Sequence, residues 1–260
     1  MDELNIFIKN RMNKSFPWSH MLGIVDANYV DNYESNKHNY NSHDFGYKFN
    51  DYGFRCDNFN QESDISIVFL GCSITEGYGL PVETVWAHQL LSKIRQKTNK
   101  NIPYWNLAIA GCGIDTQARH LYLFNKILKP KFVFALFPRF ERREYCFQGT
   151  DQKTWGGTYN NFAKVDHVFI DDQFKYYQTA RSFMIIDSIL KQNNTQMYCS
   201  KWKFFENTEE ELFIQENFPN FNFFPNDNIP LDDARDGKHP GPLYQTATAN
   251  LFWDKINHLF

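Results

Sequence analysis

The sequence predicts an α/β fold, a parallel sheet with helices on both faces. Three short apolar, β-branched or aromatic runs carry that expectation: Ile65–Leu70, Tyr104–Ile109 and Phe132–Phe137. Short, mostly apolar runs of this length suit strands buried on both faces, and Phe132–Phe137 is apolar throughout. Between them lie segments with helical periodicity, and strands alternating with helices give a parallel sheet.

The first strand, Ile65–Leu70, ends at Gly71. Val82 to Gln96 then places Val82, Val85, Trp86, Leu90, Leu91 and Ile94 on one helical face. Tyr104–Ile109 is the second strand, and Ile114–Leu128 is a helix stopped by Pro130. After the third strand the pattern loosens until about residue 171. A helix over 172–192, a fourth strand over 196–200 and a short helix with the capping-box pair Thr208 and Glu211 follow. Phe221–Phe224 reads as a fifth strand. The last helix starts after Pro242 and is expected to turn Leu243, Ala247, Leu251, Ile256 and Leu259 inward. Residues 1–62 are polar, aromatic and poorly periodic. They read as an extended arm laid over the core, with a short hairpin around Asn50-Asp51 and a turn at Gly53. No linker or repeat divides residues 63–260, so one domain is expected.

Composition narrows the function. The formal net charge is -3, from 27 basic and 30 acidic residues, which does not supply the basic face a nucleic-acid binder uses on phosphates. Five cysteines without C-x-x-C spacing argue against a disulfide framework and a zinc site. His38, His43 and Asp44 lack a rigid element to hold a metal, so no metal or cofactor is expected. The acidic start, Met1-Asp2-Glu3, is no signal peptide, and no apolar run is long enough to span a bilayer. A cytoplasmic protein is the expectation; the oligomeric state is left open.

Ligands of an open parallel sheet bind beyond the carboxyl ends of its strands. There the chain carries Gly71-Cys72-Ser73, Ala110-Gly111-Cys112-Gly113 and Pro138-Arg139-Phe140-Glu141, with Asp236-Gly237-Lys238-His239 before the last helix. Each suits acyl transfer. A Ser between strand and helix exposes its hydroxyl and its own N–H, but needs a base to become a nucleophile. His239 supplies the base, and Asp236 holds the imidazole in the right tautomer. Gly111 admits a close approach and offers a second N–H to a developing oxyanion.

These residues resemble a known family. Residues 67–79, within which VFLGCSITEGYG is read, are similar to the first block of SGNH/GDSL hydrolases, where Gly-Asp-Ser is usual. NLAIAGCGIDT (106–116) is similar to the second, whose Gly lends its N–H to the oxyanion. Asp236 to His239 matches the family's Asp-x-x-His, followed by Pro240, and NDYGFR (50–55) resembles the segment preceding the first block. The resemblance covers about residues 45–140 and 230–260. It implies a flavodoxin-like three-layer α/β/α sandwich with about five strands, and ester hydrolysis without a cofactor. It also implies Ser73 as nucleophile, Asp236 and His239 as partners, and the N–H groups of Ser73 and Gly111 as oxyanion donors. Two positions depart from it. Cys72 stands where Asp is usual, and the third block has no Asn. Losing one oxyanion donor costs ~100- to 1000-fold in rate. Either Arg139 or Arg142 reaches in as a charged donor, or both pair with Glu141 and Glu144. The expected substrate is a small or polymer-linked ester, with short-acyl and carbohydrate-linked esters among the forms that suit it. Acyl transfer on the same site, and a catalytically weakened binding module, are the alternatives.

Overall fold

The computed structural model describes residues 15–17, 45–142, 172–202 and 208–260. Six strands are numbered in chain order: β1 (Ser15–Pro17), β2 (Gly46–Lys48), β3 (Ile67–Leu70), β4 (Trp105–Asn106), β5 (Phe132–Phe137) and β6 (Gln196–Lys201). The helices are α1 (Ser73–Glu76), α2 (Trp86–Thr98), α3 (Ile114–Leu128), α4 (Asp172–Asn193), α5 (Thr208–Asn217) and α6 (Pro242–Ile256). Strands β3 to β6 form a four-stranded parallel sheet in the order β4-β3-β5-β6. β3 leads to β4 on one side, and the chain then crosses back to β5 on the other. The order of the sheet therefore switches between β3 and β5.

The strands alternate between two cores, as the two-residue period of a strand requires. Val68, Leu70, Val133, Ala135 and Phe137 pack with α3 and α4. Ile67, Phe69, Phe132, Phe134 and Leu136 pack with α2 and α6. One sheet between two helical layers is the three-layer sandwich expected from the sequence.

Several boundaries differ from the expectation. The fifth strand shrinks to one bridge, Phe223 to Cys199, preceded by a 3-10 turn over Pro219–Phe221. Phe218 and Phe221 are instead drawn into the core, stacking at 5.2 Å. The helix expected from Val82 begins at Trp86, because Val85 is extended and a 3-10 turn occupies Val82–Thr84. β4 is two residues long. No hairpin forms around Asn50: β2 pairs with β1, and the Asn50 Oδ1 accepts the Tyr52 and Phe54 N–H groups, closing a turn in which Gly53 is left-handed. In α6 the buried face runs through Tyr244, Gln245, Thr248, Ala249, Phe252 and Ile256, so Leu243 points outward at 60% exposure. The polar members of that stripe conceal it from a hydrophobicity reading.

The segment around residues 52–59 joins the first core. Phe54 and Phe59 are buried against Phe124, with ring centroids 5.4 and 5.1 Å away. Beside the edge strand β4, Asp57 donates its N–H to the Tyr104 carbonyl and accepts the Tyr104 N–H at 2.8 Å. Edge groups are thereby paired rather than left open. Among the described residues, no helix is long and apolar enough to cross a membrane.

Candidate functional site

β3 delivers the chain to Ser73 at the start of α1, beside the switch in strand order. α1 is a single turn closed by Gly77 in the left-handed conformation, and the Ser73 carbonyl accepts the N–H groups of both Gly77 and Tyr78. Ser73 is therefore fixed at its backbone while its hydroxyl faces the loop that carries His239. From the opposite side, Gln245 on α6 accepts the Trp86 N–H and donates to the Ile74 carbonyl, tying α1 to both helices of that layer.

The Asp236–His239 segment is a closed loop. Ala234 donates its N–H to the His239 carbonyl, Gly237 is left-handed, and Asp233 bridges to Pro240. The neighbouring carboxylate of Asp232 caps α6 by accepting the Leu243 and Tyr244 N–H groups, which leaves Asp236 to face the imidazole. Gly79, also left-handed, is pressed against this loop: its carbonyl accepts the Arg235 N–H, and an added Cβ would lie 3.0 Å from the Ala234 Cβ.

Ser73, His239 and Asp236 form one hydrogen-bonded line. The Ser73 Oγ lies 2.9 Å from His239 Nε2, and His239 Nδ1 lies 2.5 Å from Asp236 Oδ2. Asp236 is fully buried, and its other oxygen accepts the backbone N–H groups of His239 and Lys238. Burial pushes its carboxyl up. The hydrogen bond and charge of the His239 ring, with those two N–H donors, outweigh burial and hold it below the usual range. A carboxylate kept charged at Nδ1 places the proton there and leaves Nε2 with its lone pair toward Ser73. Tyr78 walls the imidazole, ring centroids 5.0 Å apart.

Gly111 is left-handed, and the space a Cβ would occupy is open. Among the described residues, neither its N–H nor that of Ser73 has an acceptor. Two ties hold the Gly111 turn against α1. The Ala110 N–H donates to Glu76 Oε2 at 2.6 Å, and the Cys112 thiol donates to the Gly71 carbonyl at 3.0 Å. Burial pushes the Cys112 thiol up and keeps its proton. Cys72 Sγ lies 4.0 Å from the Ser73 Oγ. Cys56, Cys72, Cys112 and Cys199 are free thiols.

Arg139 takes the surface alternative: its guanidinium is 44% exposed and pairs with Glu141 at 3.2 Å. Arg142 is buried, 5.5 Å above the Trp202 ring. Glu144, His38, His43, Asp44 and Trp155-Gly156-Gly157 lie outside the described residues. Among the described residues, no group of three His, Cys, Asp or Glu side chains is placed to hold a metal.

Sequence reasoning missed the braces behind Ser73. Arg55, buried against the Tyr47 ring at 3.7 Å, donates to the carbonyls of Glu76, Gly77 and Leu80. The Tyr47 hydroxyl donates to the Gly77 carbonyl and accepts the Gly79 N–H. The similarity of NDYGFR to a family segment was the one signal that touched this brace.

No family model matches the chain, and no curated protein matches it. Among solved structures, it is similar to the esterase EstA of Pseudoalteromonas sp., at a TM-score of 0.50 and 15% identity, over 75% of this chain and 98% of that one. A protein of Parabacteroides merdae described as a GDSL-like lipase gives 0.46 at 14% identity, over 77% and 99%. The acetyl xylan esterase AlAXEase gives 0.46 at 14%, over 74% and 100%. The chain shares its fold with the EstA structure.

Proposed function

We propose that this protein is a serine esterase that cleaves a carboxylic ester through an acyl-enzyme intermediate. The observation that carries the reading is the line from Asp236 through His239 to Ser73, with spacings of 2.5 and 2.9 Å.

In the first half of the reaction, His239 Nε2 takes the Ser73 hydroxyl proton as Oγ attacks the ester carbonyl carbon. The carbonyl oxygen gains the electron pair and accepts the N–H groups of Ser73 and Gly111. The tetrahedral species collapses, the C–O bond to the alcohol breaks, and the imidazolium returns its proton to the leaving oxygen. In the second half, water loses a proton to His239 and attacks the acyl carbon. Ser73 then leaves with that proton, the carboxylic acid is released, and the free enzyme is restored. Asp236 keeps its charge throughout and stabilises the imidazolium. Arg139 remains with Glu141, so the oxyanion rests on two backbone donors.

Hydrolysis of p-nitrophenyl acetate by the full chain tests the reading. Turnover is expected in the wild type and is abolished by Ser73→Ala and by His239→Ala, with folding retained by circular dichroism. Full turnover in folded Ser73→Ala contradicts it.

A further inference from the structure

A cavity lies between residues 46–61, the turn at Val82 and the side of α2, with a volume of about 400 Å³. Neither Ser73, Gly111, Asp236 nor His239 lines it. That volume falls in the range of small-molecule sites, roughly 300–1000 Å³.

Its charge is one-sided. Lys48, Arg55 and Arg95 line it against one carboxylate, Asp57. Asp57 already accepts the Tyr104 N–H through Oδ2, and the same oxygen stands 4.0 Å from the Arg95 guanidinium. Arg55 is buried and committed to three carbonyls, so it contributes a fixed positive charge to the wall. Arg95 lines the cavity with its Nε donating to the Ile102 carbonyl and its Nη2 4.0 Å from Asp57. Lys48 is exposed and forms no ion pair among the described residues.

The neutral part of the lining is equally defined. His88 meets the Tyr104 ring edge-on at 5.2 Å. Burial and the nearby Arg95 charge hold its imidazole below the usual histidine range, with Glu83 and Asp57 pulling weakly the other way. It thus offers one N–H donor without adding charge near neutral pH. Tyr104 and Val82 supply an apolar surface. Partly enclosed walls of one sign concentrate the field, even on a chain whose net charge is -3.

We propose that this cavity binds a small organic anion bearing carboxylate or phosphate groups, held between Lys48 and Arg95. The inference stands apart from the esterase reading, because it uses none of the residues assigned to that reaction.

Isothermal titration calorimetry on the full chain tests it, with citrate and inorganic pyrophosphate as probes at constant ionic strength. Saturable one-to-one binding of either probe is expected, and the preferred probe tells carboxylate from phosphate. Lys48→Glu and Arg95→Gln are each expected to weaken it about tenfold or more, as loss of a charge-assisted contact does. Lys48 is exposed, so its variant leaves the fold intact even where Arg95→Gln disturbs the Ile102 contact. Absence of saturable binding at millimolar probe overturns the proposal, and so does binding that both variants leave undiminished.

Discussion

Glu76 accepts the Ala110 N–H at 2.6 Å, across 34 residues of sequence. The turn that presents the Gly111 N–H is thereby fastened to the same single-turn helix that presents Ser73. One buried carboxylate thus links the two turns, alongside the Cys112 thiol on the Gly71 carbonyl.

Removing that fastening is expected to cost rate more than binding. Glu76→Ala leaves the half-buried Ala110 N–H without its acceptor, at a stability cost of about 1 kcal/mol. We expect kcat on p-nitrophenyl acetate to fall about 10- to 100-fold, with KM little changed, because a displaced Gly111 donor fails chiefly in the transition state. Glu76→Gln keeps an acceptor oxygen at the same reach and is expected to restore most of the loss. Equal losses in both variants would show that the contact does not position Gly111.

Asp236 sets a pH dependence whose sign follows from its environment. Burial raises its carboxyl, but the His239 ring and two backbone N–H groups hold it below the ordinary value. A folded-state pKa below the unfolded one contributes stability that is fully present above the unfolded value, about 4. That contribution is lost as pH falls through the lower folded-state value. The wild type is expected to exceed Asp236→Asn in unfolding free energy by a constant margin from neutrality to about pH 5. The margin then narrows in acid. Urea titrations across this range check it, and a margin that widens in acid would contradict the assignment. Activity of Asp236→Asn is expected to drop ~10⁴-fold, since an amide favours the wrong imidazole tautomer.

Tyr47→Phe removes the hydroxyl that bridges the Gly77 carbonyl and the Gly79 N–H. Burial pushes this phenol up, so it is neutral and able to donate. Both backbone groups lose a partner, and the expected cost is about 1–3 kcal/mol by denaturant unfolding. The ring keeps its contact with Arg55, so the loss reports the hydroxyl alone.

The Arg139–Glu141 pair is solvent-exposed on the Arg139 side, where ion pairs contribute little, about 0–1 kcal/mol. Arg139→Ala is therefore expected to change kcat/KM less than about threefold, well short of the ~100-fold or more that loss of an oxyanion donor brings. A loss of that larger size would return Arg139 to the oxyanion site.

How far the structure was legible in the sequence depended on the range of the interaction. α3 was readable to its ends because apolar periodicity runs from Ile114 to Leu128 and Pro130 follows. β5 was readable because all six of its residues are buried. β4 was overextended because Asn106 turns inward to bond the Thr75 carbonyl and the Tyr104 hydroxyl, ending the ladder. Its side chain also accepts the Ala108 N–H. On α6 and the turn after it, Ile256 is buried and Leu251 and Leu259 pack against the core as expected. Leu243 points outward, and the polar Gln245, buried for its hydrogen bonds to the Trp86 N–H and the Ile74 carbonyl, takes part of the inward face. Ser73, Gly111, Asp236 and His239 stood out as local motifs at predictable ends of elements. Glu76, Tyr47 and Arg55 act across 21 to 34 residues on backbone groups, and no local pattern marks such partners.

The central claim is that Ser73 is an activated nucleophile. The most direct measurement is labelling of the full chain with a fluorophosphonate probe, followed by mass-spectrometric location of the adduct. The account predicts one adduct at Ser73 in the wild type and none in folded His239→Ala. No adduct on folded wild-type protein, or an adduct at Ser73 that persists without His239, would contradict it.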